Sequence, residues 1–388
     1  MPELPTATAP GGTGGARDCL AAVHDVALLD LDGVVYVGPD AVPHAAEALA
    51  EARSRYGMRA MFVTNNASRP PAAVAAHLVE LGIPAQPDEV VTSAQAGARM
   101  LVQIVGPGAT VLAIGGPGVA EAVRERGMVP VGRADEDVAA VIQGYGPDVG
   151  WAQLAEGSLV IARGLPWVAT NTDATIPTPR GRVLGNGALV AALQHSSGAA
   201  PLVAGKPEPP LMRESVERGA AERPLVVGDR LDTDIEGAHR TGLPSLLVLT
   251  GVTDWHDLVA APQEHRPTHV GADLRALLEP IPPVQVDLSS DWVEVTCRAA
   301  RVRVRLEEPD REPAVAGAGQ PGGFAGSARG DVGLDWIPEP WRSRGRGSGA
   351  ELGDEDLDVV RALVHAGWAF TDAGARPAGP AVVRSASG

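Results

Sequence analysis

The segment Val26–Tyr36 reads VALLDLDGVVY, in which a short apolar run ends in two aspartates and a glycine. Such a run is typical of a buried strand, and Gly33 allows the chain to turn tightly directly after it. A helical stretch, AVPHAAEALAEARSRYG, follows and ends at Gly57. The segment therefore predicts one strand–helix unit with polar residues at the carboxyl end of its strand.

The same alternation recurs along the chain. RAMFVTNN ends in polar residues and precedes a helix that Pro70 and Pro71 open. The runs PLVAG, RPLVVGD and PSLLVLTG then alternate with the helical stretches MRESVERGAA and TDIEGAHRTG. Strands that alternate with helices predict an α/β fold, a Rossmann-like parallel sheet covered on both faces. In such sheets ligands bind beyond the carboxyl ends of the strands.

The length of 388 residues predicts more than one domain. We predict a core interrupted by an inserted α/β cap, which has the apolar runs TVLAIGG, AAVIQGY, SLVIAR and PWVATN. A small α+β extension follows, with strand-like alternation in DWVEVTCRAARVRVRL, a Gly- and Arg-rich loop and an amphipathic helix in EDLDVVRALVHAGWAF. The predicted boundaries are 1–20 for a flexible tail, 21–84 and 191–280 for the core, 85–190 for the cap, and 284–388 for the extension with its loop at 309–350.

Composition argues against several classes of protein. The formal net charge of −16 does not suit a nucleic-acid binder or a partner of anionic membranes, so we expect small molecules or proteins as partners. No apolar run approaches the roughly 20 residues that span a bilayer. The start of the chain lacks the pattern of a secretion signal, which favours a cytoplasmic protein. Cys19 and Cys297 lie far apart and outside any Cys/His cluster, which argues against a disulfide framework or a zinc site.

One basic residue stands out, because Lys206 is the only lysine among 32 basic residues. An ammonium is a compact point charge on a thin stem and can enter an anionic pocket that a planar guanidinium cannot. The single lysine therefore indicates a place where arginine does not fit. The alternative is that Lys206 is an ordinary surface residue that is lysine by chance.

Acidic side chains follow the first predicted strand. Asp30 and Asp32 are two residues apart, so in extended backbone they face the same way. Two converging carboxylates suit a nucleophile and a general acid/base, or a site for a hard cation. A solvated acidic turn is the structural alternative.

Polar residues also close the other predicted strands. Thr64 and Asn65 offer a hydroxyl and a backbone N–H to an anion, and Lys206 supplies a positive charge. Asp229 ends PLVVGD, and Asp234 begins the next helix. Taken singly, Thr64 suits a helix cap, and the two aspartates suit a capping pair. Together these residues predict phosphoryl transfer through a metal-assisted aspartyl phosphate at a polar rim of the sheet.

Four motifs carry a resemblance to a known family. DLDGVVY, FVTNN, GKPEP and GDRLDTDIEGA, in this order, resemble the motifs of the haloacid dehalogenase superfamily, in particular its NagD-like phosphatases. The resemblance runs from about His24 to Pro280, and the insert matches the cap of that branch in position and size. Bacterial glycerol-3-phosphate phosphatases look most similar, partly because they too carry a C-terminal extension.

The resemblance implies roles for individual residues. Asp30 would be the nucleophile and Asp32 the general acid/base, while Thr64, Asn65 and Lys206 would hold the phosphate.

A metal ion is implied as well. Mg²⁺ would be bound by the carboxylates of Asp30 and Asp229 and by the main-chain carbonyl of Asp32, with Asp234 ordering that shell. The implied activity is Mg²⁺-dependent hydrolysis of a small phosphomonoester, with glycerol 3-phosphate as the first choice.

A cap over the rim restricts access to small phosphate esters. Nucleotides, pyridoxal phosphate and other sugar phosphates remain alternatives to glycerol 3-phosphate. Asn171, Thr172 and Asp173 follow a predicted cap strand and are candidates for recognising the leaving group, with a turn motif as the alternative. A homodimer that forms through the cap is a further expectation.

Three other functions fit the sequence less well than phosphatase activity. GGPGVAE resembles a dinucleotide turn, but Glu121 takes the third glycine position, which favours a plain strand-to-helix turn. RGRGSGA at Arg344–Ala350 fits an acyl-CoA loop, but low-complexity stretches produce such patterns by accident, so we favour a structural or interaction role for the extension. A catalytically dead phosphate-binding module would lack one of the catalytic residues, and none is missing.

Overall fold

The computed structural model describes residues 18–135, 137–178, 180–306, 337–338, 341, 354–373, 377–378 and 381–385. The strands of the first part are β1 (Val26–Leu29), β2 (Tyr36–Val37), β3 (Asp40–Ala41), β4 (Arg59–Thr64) and β5 (Val90–Thr92). The helices of this part are α1 (Leu20–Val23), α2 (Ala45–Tyr56), α3 (Pro71–Glu80) and α4 (Ser93–Val105). Within the described ranges, no helix combines the length and the apolar character needed to cross a bilayer.

The remaining elements follow in chain order. The strands are β6 (Thr110–Ile114), β7 (Val129–Val131), β8 (Val138–Gln143), β9 (Trp167–Ala169), β10 (Thr175–Thr178), β11 (Gly181–Leu184), β12 (Leu202–Val203), β13 (Pro224–Gly228), β14 (Ser245–Val248), β15 (His269–Gly271), β16 (Val284–Leu288), β17 (Trp292–Cys297), β18 (Ala300–Arg305) and β19 (Val382–Arg384). The helices are α5 (Pro117–Glu125), α6 (Trp151–Ala162), α7 (Asn186–Ser197), α8 (Pro209–Arg218), α9 (Glu236–Thr241), α10 (Trp255–Val259) and α11 (Asp354–Ala373).

Six parallel strands form the core sheet in the order β15-β14-β13-β1-β4-β5. Strand β1 lies near the centre, where Leu28 pairs with Val226 on β13 and with Met61 on β4. Leu28 packs in one apolar cluster, and Leu29 packs in another. Because successive residues of a strand point to opposite faces, both faces of this sheet are covered. The predicted α/β class with a Rossmann-like core is confirmed.

The insert has a parallel sheet of its own, in the order β12-β9-β8-β6-β7. Two strands join a different sheet from the one that the predicted boundaries imply. Strand β5 lies within residues 85–190 but pairs with β4 in the core, and β12 lies after residue 190 but pairs with β9 in the insert. An apolar run shows that a strand is buried, but its partner is chosen by tertiary packing.

One apolar run of the insert is not a strand. SLVIAR forms the last turns of helix α6, where Val160 and Ile161 are buried and Leu159 is exposed. Gly157 on the same helix packs closely against Ile114 of β6. A short apolar run does not by itself distinguish a buried strand from one face of a helix.

The extension forms an antiparallel sheet in the order β16-β17-β18-β19, which packs against α11. DWVEVTCRAARVRVRL, predicted as one strand, is a hairpin with a turn between Cys297 and Ala300, where Arg298 has a φ of 49°. The helix predicted in EDLDVVRALVHAGWAF is present as α11. RGRGSGA and nearly all of the predicted loop 309–350 lie outside the described residues.

The predicted tail also differs in part from the structure. Residues 1–17 lie outside the described part of the chain. Cys19 and Leu20, which the prediction included in the tail, are buried in the core cluster that contains Leu29. Burial of these apolar side chains is favourable, so the core includes residues that the prediction assigned to the tail.

We expect the replacement of Leu28 by alanine to lower the free energy of unfolding by about 2–5 kcal/mol, because it removes buried apolar contacts and leaves a cavity in the sheet centre. Urea denaturation followed by circular dichroism measures the loss. Val79 on α3 is 55% exposed, so Val79→Ala is the control and should change stability by less than about 0.5 kcal/mol. Equal losses for the two variants would contradict the central position of Leu28.

Candidate active site

Three carboxylates meet at the carboxyl edge of the core sheet. Asp30 follows β1, Asp229 follows β13, and Asp234 lies in the irregular helical turn Leu231–Ile235 that leads into α9. Each offers one oxygen, and these oxygens all lie within 4.8 Å of one another. Parallel strands bring their carboxyl ends to one edge, so residues about 200 positions apart in sequence become neighbours.

Lys206 lies between two of these carboxylates. Its Nζ donates to Asp30 Oδ1 at 2.5 Å and to the carbonyl oxygen of Val63 at 3.2 Å, and it lies 2.7 Å from Asp234 Oδ1. The sequence predicts a residue on a polar rim, but the side chain is only 3% exposed. Burial alone lowers the pKa of this ammonium, but the Asp234 and Asp30 carboxylates reverse the effect and hold its pKa above the usual value.

The cluster carries more negative than positive charge. Burial raises the pKa of Asp30 to about 6, although Lys206 acts in the opposite direction. Burial, together with repulsion from Asp234 and Asp30, raises the pKa of Asp229 to about 8. One ammonium facing three carboxylates leaves two negative charges without compensation when all three are ionised.

The chemistry of these oxygens suits a hard divalent cation. Asp229 Oδ1 is buried and has no hydrogen-bond partner among the described residues. Buried polar atoms are normally paired, and carboxylate oxygens are the ligands that Mg²⁺ prefers. The carboxylates of Asp30 and Asp229, with Asp234 beside them, therefore fit the implied metal.

Asp229 is held tightly by the backbone around it. Its Oδ2 accepts the Val252 N–H at 2.6 Å. A Cβ added at Gly33 would lie 2.5 Å from Asp229 Oδ2, and one added at Gly251 would lie 1.9 Å from the same oxygen. Gly33 also has a φ of 93°, so it needs glycine for its conformation as well as for space.

The Asp32 side chain lies outside this cluster. It is exposed, whereas Asp30 is half-buried and Asp229 is fully buried. Partial burial raises the pKa of Asp32, and the nearby Arg230 guanidinium opposes that shift. Two aspartates of one motif thus occupy different environments, which is the usual way to give two carboxylates different roles.

Thr64 and Asn65 lie at the end of β4. Thr64 Oγ1 accepts the Asn66 N–H at 3.0 Å, which leaves its own O–H as a donor. The Asn65 side chain is occupied, because its Oδ1 accepts the Lys206 N–H at 2.8 Å and its Nδ2 donates to the Lys206 carbonyl at 3.0 Å. Asn65 therefore fixes the backbone on which Lys206 is carried.

The three candidates from the insert have different surroundings. Asn171 is buried and donates to the carbonyl oxygen of Asn65 at 2.7 Å, so its side chain joins the insert to the core. Thr172 is exposed. The Asp173 carboxylate accepts from Asn65 Nδ2 at 3.2 Å and lies within the electrostatic influence of Arg230, which places Asp173 beside the residues that follow β4 and β13.

The GGPG turn of the insert packs directly against the core. The Gly118 N–H donates to the Ser68 carbonyl at 3.1 Å. A Cβ at Gly116 would lie 2.6 Å from that oxygen, and one at Gly118 would lie 2.6 Å from the carbonyls of Ala67 and Arg69. These glycines allow two backbones to approach, and the space that a dinucleotide phosphate would need is filled by the core itself.

Sequence reasoning missed two features of the site. Arg230 directly follows Asp229, and its guanidinium donates to Asp232 at 2.8 and 3.1 Å while its field reaches Asp32 and Asp173. The loop 250–253 supplies the backbone donor to Asp229. Arg230 follows a strand of the sheet, so the strand-end rule that identified the aspartates could have identified it too, whereas the Val252 donor is a backbone group that no side-chain pattern reveals.

Comparisons with known proteins agree with this site. Residues 27–129 match the family described as haloacid dehalogenase-like hydrolase, and residues 203–277 match a family described as HAD-hydrolase-like. D-glycerol 3-phosphate phosphatase of Mycobacterium tuberculosis is 48% identical over 284 residues, which cover 71% of this chain and 79% of that protein. Acid sugar phosphatase of Staphylococcus saprophyticus is 35% identical over 254 residues, covering 65% of this chain and 96% of that one.

Similarity to solved structures indicates the same family. The crystal structure of glycerol phosphate phosphatase from Mycobacterium tuberculosis in complex with magnesium has a TM-score of 0.67 and 47% identity, and the match covers 73% of this chain and 87% of that chain. Strand order, strand-end carboxylates and these similarities all agree with the resemblance of the four motifs. The chain belongs to the haloacid dehalogenase-like hydrolases, among their NagD-like phosphatases.

Proposed function

We propose that the protein is a Mg²⁺-dependent phosphatase that converts glycerol 3-phosphate to glycerol and inorganic phosphate. The observation that carries the proposal is the cluster of three carboxylates around one buried lysine, which suits a cation and a phosphoryl group together. The names of the relatives support the choice of substrate.

Mg²⁺ would be held by the carboxylates of Asp30 and Asp229 and by the main-chain carbonyl of Asp32, with Asp234 beside them. When bound, the ion offsets the negative charge that the carboxylates and the phosphate bring together. The orphaned Asp229 oxygen supports this assignment.

In the first half-reaction, an Asp30 carboxylate oxygen attacks phosphorus, and the bond from phosphorus to the alcohol oxygen breaks. Asp32 donates a proton to that alcohol oxygen as it leaves. Lys206 keeps its ammonium beside Asp30, and the free O–H of Thr64 donates to the phosphate.

In the second half-reaction, Asp32 takes a proton from the water that attacks the aspartyl phosphate. The bond from phosphorus to Asp30 breaks, and inorganic phosphate leaves. Asp32 is suited to both steps because its side chain is accessible to an alcohol or a water, and because desolvation raises its pKa above the ordinary value.

The contacts between insert and core favour a small substrate. The insert meets the core at Asn65 and at Ser68, on the side of β4 next to the carboxylate cluster. A leaving group must fit beneath this cover, where Asp173 can accept from hydroxyl groups. We therefore expect glycerol to be favoured over a bulkier nucleoside, and nucleotides, pyridoxal phosphate and sugar phosphates are compared with it below.

We also propose that the protein is cytoplasmic and that it forms a homodimer through the cap. Trp151 on α6 is 83% exposed and Leu159 is 56% exposed, one helical face that such a dimer would cover.

We expect glycerol 3-phosphate to give the highest kcat/KM in a panel that includes a nucleoside monophosphate, pyridoxal phosphate and a hexose phosphate. Phosphate release in the presence of Mg²⁺ is the measurement. Excess EDTA should abolish turnover, because the carboxylate cluster then lacks its cation. Activity that persists in EDTA would refute the metal role, and a preferred nucleotide would overturn the substrate choice.

We expect Asp30→Asn to abolish turnover, because an amide does not attack phosphorus. Asp32→Asn should instead slow both half-reactions and allow phosphorylated protein to accumulate, which intact-mass spectrometry detects as one added phosphoryl group. Circular dichroism checks that both variants fold. A phosphorylated Asp30→Asn protein would show that another residue is the nucleophile.

We expect Lys206→Arg to lower kcat/KM by about a hundredfold or more, although it preserves the charge. The Nζ pocket has three acceptors around a small group, and displacing the phosphate by about 1 Å costs roughly this factor. Lys206→Ala should also destabilise the fold by about 3–5 kcal/mol, because it leaves buried carboxylates unpaired.

The control for this exchange is Arg240→Lys on α9. Arg240 is 39% exposed and pairs with Glu208 and Glu236, so exchanging its head group should change neither kcat/KM nor the thermal midpoint appreciably. If Lys206→Arg keeps near wild-type activity, the lone lysine does not reflect a pocket that needs a compact ammonium.

A further inference from the structure

The loop after β14 holds Asp229 in place. The Val252 N–H donates to Asp229 Oδ2 at 2.6 Å, and the Thr253 N–H donates to the Asp229 carbonyl at 3.2 Å. The Thr250 hydroxyl donates to the Gly33 carbonyl at 2.5 Å. The loop thus ties the ends of β13 and β1 together around one predicted metal ligand.

This loop leads directly into α10, a helix of five residues. Asp254 caps it, because its Oδ1 accepts the N–H groups of His256 at 2.8 Å and Asp257 at 3.1 Å. A helix this short is not stable alone in water, because its few hydrogen bonds do not offset the entropy lost when its first turn forms. Its position must come from what packs against it.

Helix α11 of the C-terminal extension supplies that packing. Trp368 Nε1 donates to the Leu258 carbonyl at 2.7 Å, near the end of α10. A Cβ at Gly367 would lie 2.6 Å from Val259 Cγ1 and 2.7 Å from the Val259 carbonyl, so the two helices are in close contact at this point. Trp255, Leu258 and Val259 are buried in the same apolar cluster as α11.

The extension is itself fixed to the core sheet. Arg361 on α11 donates from Nε at 3.1 Å and from Nη2 at 2.8 Å to the carbonyl of Val270 on β15. Asp358 accepts from Arg361 Nη1 at 2.9 Å, which orients the guanidinium. Helix α10 is therefore held between a clamped α11 and the loop that contacts Asp229.

We propose that the C-terminal extension positions the metal site, with Trp368 and Gly367 acting as positioning residues that hold α10 and the Val252 N–H against Asp229. The inference rests on the proposed Mg²⁺ role and goes beyond it, because it gives the extension a part in the chemistry of the core. Loosening the contact between α10 and α11 would release the Val252 donor and allow the Asp229 carboxylate to leave its binding position.

The test uses the full chain and two variants. Trp368→Phe keeps an aromatic ring but removes the donor to Leu258, and Gly367→Ala pushes a methyl group against Val259. We expect the dissociation constant for Mg²⁺, measured by isothermal titration calorimetry without substrate, to rise about fivefold or more in each variant. The kcat/KM should fall at low Mg²⁺ and recover at saturating Mg²⁺, while circular dichroism remains unchanged.

Val302→Ala is the matched control. Val302 is buried on β18 in the core of the extension, so its truncation should lower the thermal midpoint without changing Mg²⁺ affinity. If both α11 variants bind Mg²⁺ like the wild type, the extension is only structural and the inference is overturned. If the wild type itself does not bind Mg²⁺, the proposed function fails first, and this inference fails with it.

Discussion

Three clustered carboxylates, two of them fully buried, must share one buried ammonium, and the surrounding backbone leaves room for them. Four glycines at strand ends leave room for polar atoms. The space that a Cβ would take is filled by Asp229 next to Gly33 and Gly251, by Asp234 next to Gly228, and by Asn65 next to Gly205. Because Lys206, Asp229 and Asp234 are buried, their charges act on one another in a medium of low polarity. The carboxyl edge of the sheet brings these side chains together, and the glycines allow them to pack directly against the backbone.

Much of this arrangement follows from rules that act locally along the chain. An apolar strand that ends in Asp30 identifies both the strand and its functional end, because a buried strand cannot carry a carboxylate in its middle without a partner. The same reasoning locates Thr64, Lys206 and Asp229. The α/β class follows from the alternation of these runs with helical stretches.

What the sequence did not reveal depends on contacts between distant segments. Strand β5 belongs to the core sheet and β12 to the sheet of the insert, the reverse of what the predicted boundaries imply. Hydrophobicity shows that a strand is buried but does not determine which strand it pairs with. The burial of Lys206 depends on Asp234, which approaches it through the turn before α9. The Val252 donor to Asp229 is a backbone group, so no side-chain pattern could identify it. Such features appear only when the elements are packed together.

The buried position of Lys206 also has a practical consequence for handling the protein. Because it is the only lysine in the chain and its amine is enclosed by two carboxylates and a carbonyl, the protein presents no lysine amine at its surface. Reagents that acylate amines, including most common dyes and cross-linkers, will find no side-chain target on the folded protein. Glyoxal reagents, which attack guanidinium groups, will find many. Amine acylation at residue 206 would therefore report on opening of the site, since it requires the pocket to unfold locally first.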